Sequence, residues 1–195
     1  TGSPYVTDDS IEIEEGATLT IEAGVELRVD RGEWIRLGTN SPGSIQVNGT
    51  PEEPVIITVD GTPDAGAWYG LLFDAQSTNS NIDNAEIRFG GRTGFGVTGC
   101  ITVRDAPDGA LTLTNVTFES CQQSGLSVAQ TQFTATGLAF NNSEAGLALD
   151  ASNLGSVTET FSYDGTTQNI LRGGEVPETA SWVTQGIPYA VGDSI

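Results

Sequence analysis

The feature that most constrains this chain is a repeat within residues 111–150. The octapeptide that ends at Phe118 returns as the octapeptide that ends at Phe140, and a short apolar segment follows each copy, Gly125–Val128 and then Gly146–Leu149. The period of about 22 residues is in the range of about 20 to 50 residues that is typical of architectures built from stacked structural repeats. The repeat therefore predicts a solenoid in which each copy forms one coil.

The spacing of apolar residues extends this register in both directions. In the first strand of each coil, Ile82, Ile87 and Phe89 are predicted to align with Leu111, Val116 and Phe118, in that order, and Phe140 with Tyr163. In the second strand, the predicted columns are Ile101, Leu126, Leu147 and Ile170, and beside them Val103, Val128, Leu149 and Arg172. Unequal intervals are expected from insertions in turns, since each coil of a solenoid contacts only its neighbours.

These segments predict an all-β protein. Strands of three to five residues are too short to be stable alone, but stacking at about 4.8 Å pairs every backbone group with the coil above or below. No stretch of 11 or more residues has a helical period. A parallel β-helix is the favoured fold. A β-sandwich is the alternative, but its hairpins would not keep identical columns from one repeat to the next.

Three segments resemble a known family. Gly16–Val25, Ser44–Thr58 and Trp68–Phe73 are similar to the coil signatures of β-helix modules in large bacterial and archaeal secreted or cell-surface proteins, which have a pectate-lyase-like fold. The resemblance covers essentially the whole chain and implies a right-handed parallel β-helix. The repeat spacing predicts that this solenoid has coils of about 22 residues. The matched residues are turn glycines and core positions, so the resemblance indicates the fold and says almost nothing about function.

The pattern of strands and turns predicts a single β-helix domain, residues 1–195, with a cap coil (1–37), stacked coils (38–172) and an exit segment (173–195). The motif Pro4–Ile11 recurs at the other end of the chain as Pro188–Ile195. This recurrence suggests that the exit segment begins the next unit of a longer, multidomain chain. The alternative is that it is simply the last strand of this domain.

The charge of the chain limits its partners. It has 26 Asp and Glu residues against 7 Arg and no Lys, for a net charge of −19. Such a charge repels nucleic acid and anionic membrane surfaces, and no apolar run approaches the ~18 residues of a membrane span. We therefore expect no nucleic-acid partner and no membrane insertion. The composition resembles that of proteins from salt-loving microbes. The alternative interpretation of the negative charge is that it serves solubility and salt adaptation and has no role in a binding site.

The two cysteines, Cys100 and Cys121, are separated by about one coil. Neighbouring coils place Cα atoms near the ~5.5 Å that a disulfide requires. A coil-to-coil disulfide is predicted, and it is consistent with an extracellular or cell-surface location. Two free buried thiols are the alternative.

Candidate ligand-binding residues are Arg88, Arg104 and Asp150, which are predicted to face outward. Arg104 and Asp150 share a predicted column two coils apart, so a solvated ion pair between them is the simplest interpretation. The coils beside Arg88 are predicted to present uncharged side chains there, namely Thr117, Ala139 and Ser162. The fold implied by the resemblance also occurs in pectate lyases and polygalacturonases, so three or more carboxylates near Arg88 or Arg104 would favour an enzyme.

Calcium is the only cofactor that the sequence suggests. Asp105 and Asp108, like Asp60 and Asp64, lie in predicted turns, and hard cations bind clustered oxygens. Neither a D-x-D-x-D-G loop nor a nonapeptide calcium repeat is present, so Asp105 and Asp108 are only a candidate metal site.

The aromatic residues Trp34, Trp68 and Tyr69 have two interpretations. If exposed, they are platforms for stacking sugars; otherwise they belong to the cap and core. Together these features predict a non-catalytic structural or adhesive surface module whose partner is a polysaccharide or cell-surface glycan. The alternative is a polysaccharide-active enzyme, a lyase or a glycosidase. Any functional surface is expected on the loops at 60–68 and 90–110.

Overall fold

A computed structural model describes residues 2–176 and 180–192. Within these residues, it contains 18 β-strands and one 3-10 helix, Ala151–Ser156. The strands form a 10-stranded and an 8-stranded sheet in which the named strands pair in parallel, each with the strand one coil away. The predicted parallel β-helix is confirmed, whereas the right-handedness of its winding stays a prediction.

The 10-stranded sheet is folded into two faces and the 8-stranded sheet forms the third. Face 1 consists of β3 (Ala17–Glu22), β6 (Gly43–Asn48), the first halves of β9 (Ser80–Arg88) and β11 (Leu111–Glu119), and β13 (Thr134–Thr136). Face 2 consists of β1 (Tyr5–Val6), β4 (Glu26–Val29), β7 (Val55–Val59), the second halves of β9 and β11, β14 (Ala139–Asn141) and β16 (Ser162–Asp164). Face 3 consists of β2 (Ile11–Ile13), β5 (Trp34–Leu37), β8 (Gly70–Phe73), β10 (Gly99–Arg104), β12 (Ser124–Ala129), β15 (Ala145–Asp150), β17 (Asn169–Arg172) and β18 (Tyr189–Val191).

The corner between faces 1 and 2 is made by two asparagines inside long strands. Asn84 in β9 and Asn115 in β11 have φ values of 46° and 52°, a left-handed conformation that asparagine adopts more readily than most residues. The side-chain amide of Asn115 donates a hydrogen bond to the Asn84 amide oxygen at 3.3 Å. Each strand therefore bends at the asparagine and pairs with one face before it and with the other after it.

Stacked aromatic rings fill the core where the repeat is most regular. Phe140 is fully buried and lies parallel to Phe118 and Tyr163, with ring centroids 5.1 and 5.4 Å away. The glycines of face 3 leave room for these rings, because a Cβ at Gly125 would lie 2.5 Å from a Phe140 ring atom. The predicted alignment of the three aromatic residues is confirmed.

The predicted disulfide is also confirmed. Cys100 and Cys121 lie in neighbouring coils with their Cα atoms 5.6 Å apart, and their sulfur atoms are bonded. Both side chains are buried. The disulfide therefore joins two coils from inside the protein.

The predicted register between β9 and β11 is wrong by two residues. Ile82 pairs with Leu113 instead of Leu111, and Ile87 pairs with Phe118 instead of Val116. Phe89 does not belong to the column, because it has left β9 and has a φ of 62° at the corner. A two-residue shift keeps the same side chains inward, so the apolar pattern does not distinguish the two registers.

The last rung of face 3 is shifted by one residue. Leu149 pairs with Leu171, and Asp150 rather than Leu149 pairs with Arg172. Several coils before Leu111 are longer than the predicted period, as where Trp34 pairs with Gly70, whereas Tyr5 pairs with Leu27 at that period. The extra residues lie in turns and loops, where a solenoid accepts insertions.

The two copies of the terminal motif lie on different faces. Tyr5 belongs to face 2 and Tyr189 to face 3. Residues 193–195, which complete the second copy, lie outside the described residues. The interpretation of the exit segment as a following tandem unit stays a prediction.

Candidate functional site

The loop between β9 and β10 crosses the outer surface of face 3. The Gln123 side-chain amide donates to the carbonyls of Gly91 and Val97 at 3.1 and 3.0 Å, and the Thr98 and Ser127 hydroxyls are 2.6 Å apart. Leu72 points out of the sheet between two core residues and is still only 1% exposed. The loop therefore covers the middle of face 3 and leaves an open surface on either side.

Three aromatic side chains meet on the N-terminal side of this loop. Trp34 begins β5, Tyr69 precedes β8 and Phe95 lies in the loop, with ring centroids 5.3–5.5 Å apart. Phe95 is 67% exposed. The Arg92 guanidinium lies 5.7 Å from the Tyr69 ring centroid, and the Trp34 indole N–H donates to a carboxylate oxygen of Glu12 at 2.6 Å. We call Trp34, Tyr69 and Phe95 the aromatic cluster.

A row of three charged side chains lies next to the aromatic cluster. The two Asp74 oxygens each accept a hydrogen bond at 2.5 Å, one from Arg36 Nε and one from Arg104 Nε. Arg104 also donates to the Phe95 carbonyl at 2.7 Å, which ties the row to the loop. Burial alone would raise the pKa of the Asp74 carboxyl, but the hydrogen bonds and charges of the two arginines outweigh burial and lower this pKa. Asp74 is therefore a structural anion.

Replacing this anion is expected to destabilise the protein. We expect Asp74→Asn to lower the free energy of unfolding by about 2 kcal/mol at neutral pH, between the values for exposed and buried ion pairs. The matched control is Asp64→Asn, because Asp64 pairs with Arg31 at 3.3 Å but is 60% exposed, and we expect a loss below about 1 kcal/mol. Chemical denaturation at several pH values measures both.

The contribution of Asp74 to the free energy of unfolding is expected to depend on pH. A carboxyl whose pKa is lowered by folding stabilises the protein above the unfolded value, about 3.9, and this contribution disappears as the pH falls through the folded value. The difference between the wild type and Asp74→Asn should therefore be complete above about pH 5 and shrink below about pH 4. A difference that stays constant down to about pH 2 would contradict the assigned role of Asp74.

On the C-terminal side of the loop, face 3 carries an open groove of about 530 Å³. Its floor is formed by the small or apolar side chains Ala148, Ile170 and Ala190, its walls include Thr93 and Thr98 from the loop, and polar groups along its edge include Glu144 and Gln168. Arg172 at the other edge donates to the Ala148 carbonyl at 2.7 Å and lies 3.7 Å from Asp150. Burial lowers the pKa of Arg172, and the Asp150 charge acts in the opposite direction. The groove is thus apolar at its base and polar at its edges.

The structure separates the predicted ligand-face residues. Arg104 and Asp150 share face 3, but Arg104 pairs with Asp74 and Asp150 with Arg172, so the predicted ion pair between them is wrong. The cause is that Asp74, one coil before Arg104, is closer than Asp150, two coils after it.

Arg88 lies elsewhere, on the outer surface of face 2. It forms ion pairs with Glu86 of its own strand and with Glu119 of the next coil, the latter at 3.1 Å, so the prediction of an uncharged neighbouring coil beside Arg88 is wrong. The two-residue register shift places Glu119, instead of Thr117, opposite Arg88. Among the described residues, two carboxylates therefore pair with Arg88 and one pairs with Arg104, so neither arginine has three.

The sequence also predicts a candidate metal site and candidate aromatic platforms for sugars. Across residues 2–176 and 180–192, no three Asp, Glu, His or Cys side chains are grouped so as to hold a metal ion, and Asp108 accepts a hydrogen bond from the Gln132 backbone N–H at 2.7 Å. Calcium binding at Asp105 and Asp108 stays a prediction. Trp68 is fully buried and its indole N–H donates to the Arg88 carbonyl at 2.8 Å, so it is a core residue.

Sequence reasoning missed Phe95 and Asp74. Phe95 is flanked by Gly94 and Gly96, and a large aromatic between two turn glycines is a signal for an exposed side chain. Asp74 directly follows a run of apolar residues that ends at Phe73. Phe73 pairs with Val103 in face 3, so Asp74 and Arg104, the charged residues that directly follow them, lie side by side. The sequence signal is this shared position of a charged residue directly after an apolar strand residue.

The family match agrees with this geometry. A family described as "Pectate-lyase like beta helix domain" matches residues 1–104, more than half of the 195 residues, and this range includes the whole aromatic cluster. Comparisons with curated proteins and with solved structures find no match. No helix among the described residues has the length and apolarity needed to cross a membrane. The chain therefore belongs to the pectate-lyase-like β-helix domain family.

Proposed function

We propose that this domain is a non-catalytic surface module that binds carbohydrate across the outer surface of face 3. The observation that carries the proposal is the aromatic cluster, in which Phe95 is 67% exposed on a loop held by side chains of the neighbouring strands. Exposed aromatic rings with polar neighbours suit sugars, which present apolar C–H faces and hydroxyl edges. The family, whose name refers to pectate lyase, supports a polysaccharide-related role.

The groove beyond the loop suits a second part of the same ligand. Its apolar floor and polar edges have the character of small-molecule sites, where a few polar groups orient the ligand. Because the aromatic cluster and the groove lie on one sheet, a linear glycan running along the solenoid axis would contact both. The rigid stacked strands hold the two parts at a fixed separation, as a binding surface requires.

The setting we propose is extracellular or at the cell surface. A buried disulfide is typical of proteins that fold in oxidising environments, and the family is consistent with it. The negative charge argues against nucleic acid as a partner.

A polysaccharide-active enzyme is the second candidate, and one observation favours it. Arg88 lies between Glu86 and Glu119 on face 2, and an arginine beside carboxylates is a feature of lyase chemistry. Incubation of the domain with polygalacturonate, with and without Ca²⁺, followed by detection of unsaturated sugar ends, distinguishes the candidates. Product formation that is lost in Arg88→Lys would establish the enzyme in place of the binding module.

Mutation of Phe95 tests the proposed binding surface. We expect Phe95→Ala to weaken binding about tenfold, because an exposed aromatic anchor typically contributes more than about 1 kcal/mol to binding. Affinity electrophoresis on a panel of soluble polysaccharides, namely xylan, galactomannan, hydroxyethylcellulose and methyl-esterified pectin, measures the change. Tyr5→Ala is the control, because Tyr5 is an exposed aromatic on face 2. Equal effects of the two substitutions would refute the assignment to face 3.

A further inference from the structure

We infer that the polysaccharide bound by face 3 is uncharged or cationic. This inference rests on the proposed carbohydrate-binding function and names the ligand class of the same surface. It follows from where the few positive charges of the domain are located. The proposed ligand therefore differs in charge from pectate, the polyanion in the family's name.

Six of the seven arginines are already paired with carboxylates. The chain has no Lys and seven Arg, and the structure describes all seven. The six ion pairs are Arg28–Glu26, Arg31–Asp64, Arg36–Asp74, Arg88–Glu86, Arg104–Asp74 and Arg172–Asp150. The seventh, Arg92, lies against the Tyr69 ring. Except at Arg92, which is exposed, a polyanion would have to break one of these ion pairs in order to obtain a cationic partner.

Acidic side chains lie at the edges of the proposed site. Glu12 accepts a hydrogen bond from the Trp34 indole N–H, and Glu33, the residue before Trp34, accepts one from the Ser10 hydroxyl. Glu144 is exposed at the edge of the groove. Arg172, which also lines the groove, is largely buried and is held by Asp150 and the Ala148 carbonyl.

The electrostatic field of the whole molecule also disfavours anionic ligands. With a net charge of −19, the domain repels anions at a distance, and like charges brought together in a binding interface weaken binding strongly. A neutral glycan avoids this penalty. A polycation, such as a glycan with free amino groups, gains from the field. The charge therefore selects against polyuronates before any contact forms.

Pairs of polymers that share a backbone but differ in charge test this inference. We would compare highly methyl-esterified pectin with polygalacturonate, and hydroxyethylcellulose with carboxymethylcellulose, and include chitosan as a polycation. Affinity electrophoresis of the wild-type domain at about 20 mM and about 500 mM NaCl covers Debye lengths from about 20 Å to about 4 Å. In low salt, we expect the neutral member of each bound pair to bind at least about tenfold more tightly than the anionic one.

The salt dependence adds an independent signature. Binding to neutral polymers should change less than about twofold between the two salt concentrations, since no counterions are displaced. Binding to chitosan should weaken at least about tenfold in high salt, because screening removes the attraction. Binding to the anionic polymers should improve in high salt.

A charge reversal at the groove links the effect to face 3. We expect Glu144→Arg to strengthen the binding of polygalacturonate at least about threefold in low salt. The control Glu52→Arg makes the same change in net charge at an exposed turn between β6 and β7, and it should change this binding much less. Equal gains in both variants would mean that net charge alone acts, which would overturn the assignment of selectivity to the groove.

The outcomes separate the inference from the function on which it rests. Binding of the wild type to polygalacturonate or carboxymethylcellulose as tightly as to their neutral partners overturns the inference and leaves the carbohydrate-binding function standing. Absence of binding to every polymer overturns the proposed function, and the inference with it. Preference for neutral or cationic polymers that is reduced by Phe95→Ala supports both.

Discussion

Replacement of Phe140 by alanine is expected to lower the free energy of unfolding by about 3–5 kcal/mol, the range for large-to-small substitutions of buried phenylalanine. Phe140 is fully buried and stacked between the parallel rings of Phe118 and Tyr163. Its removal leaves a cavity that the neighbouring rings cannot fill, because each is fixed by the register of its own strand. Denaturation in urea, followed by circular dichroism, measures the loss.

Phe95→Ala is the matched control for this substitution, since it removes the same ring from a position that is 67% exposed. We expect it to change the free energy of unfolding by less than about 1 kcal/mol. Phe140→Leu should fall between the two, because it keeps most of the apolar volume. The aromatic ladder would not be a main source of stability if Phe140→Ala destabilised the domain no more than Phe95→Ala.

The ladder is also the part of the fold that could be predicted best from the sequence. Phe118 pairs with Phe140 and Phe140 with Tyr163, so these coils have nearly the same length. Large aromatics recur at this interval, and the glycines of face 3 that accommodate them recur at nearly the same spacing. A regular period and a conspicuous residue type together determine a register without ambiguity.

The register upstream could not be predicted in the same way. Between β9 and β11 the apolar residues alternate with polar ones, so the predicted and the observed registers bury equally apolar sets. The information that decides between them is the backbone conformation at Asn84 and Asn115, which stack to form the corner between faces 1 and 2. Asparagine is common in turns and in strand corners alike, so its presence did not mark the position of the bend.

The candidate site was less predictable than the fold, because it depends on contacts between distant segments. The aromatic cluster joins Trp34, Tyr69 and Phe95, which come from three different parts of the chain. Phe95 reaches the others only because its loop folds across face 3, and no local sequence pattern specifies the direction in which a loop folds. The spacing of the coils likewise predicted that Arg104 and Asp150 share a face, but not that Arg104 would pair with a different aspartate.

Removal of the disulfide is the second large expected effect. The double variant Cys100→Ala/Cys121→Ala should be less stable than the wild type by about 3 kcal/mol, the loss expected when a loop of roughly 20 residues is no longer closed in the unfolded chain. Both cysteines are buried, so alanine is preferred to serine, which would bury a hydroxyl without a designed partner. Urea denaturation with and without a reducing agent measures the difference.

A second consequence of removing the disulfide concerns the binding surface. Immediately after Cys121, the Gln122 backbone N–H donates to the Gly90 carbonyl at 3.0 Å. The Gln123 side-chain amide donates to the carbonyls of Gly91 and Val97. These residues attach the loop that carries Phe95 to the strand beneath it. We therefore expect the double variant to exchange its amide hydrogens faster than the wild type at residues 90–98. This increase should be larger than any increase at residues 134–141, where the aromatic ladder is intact.

The reducing agent supplies the control for both effects. It should lower the stability of the wild type to that of the double variant and leave the double variant unchanged, since only the wild type has a bond to reduce. Faster exchange spread evenly over the chain would show that the disulfide stabilises the solenoid as a whole and does not specifically hold the loop. Faster exchange confined to residues 90–98 would tie the bond to the aromatic cluster, and the reduced wild type should then also bind polysaccharide more weakly than the oxidised protein.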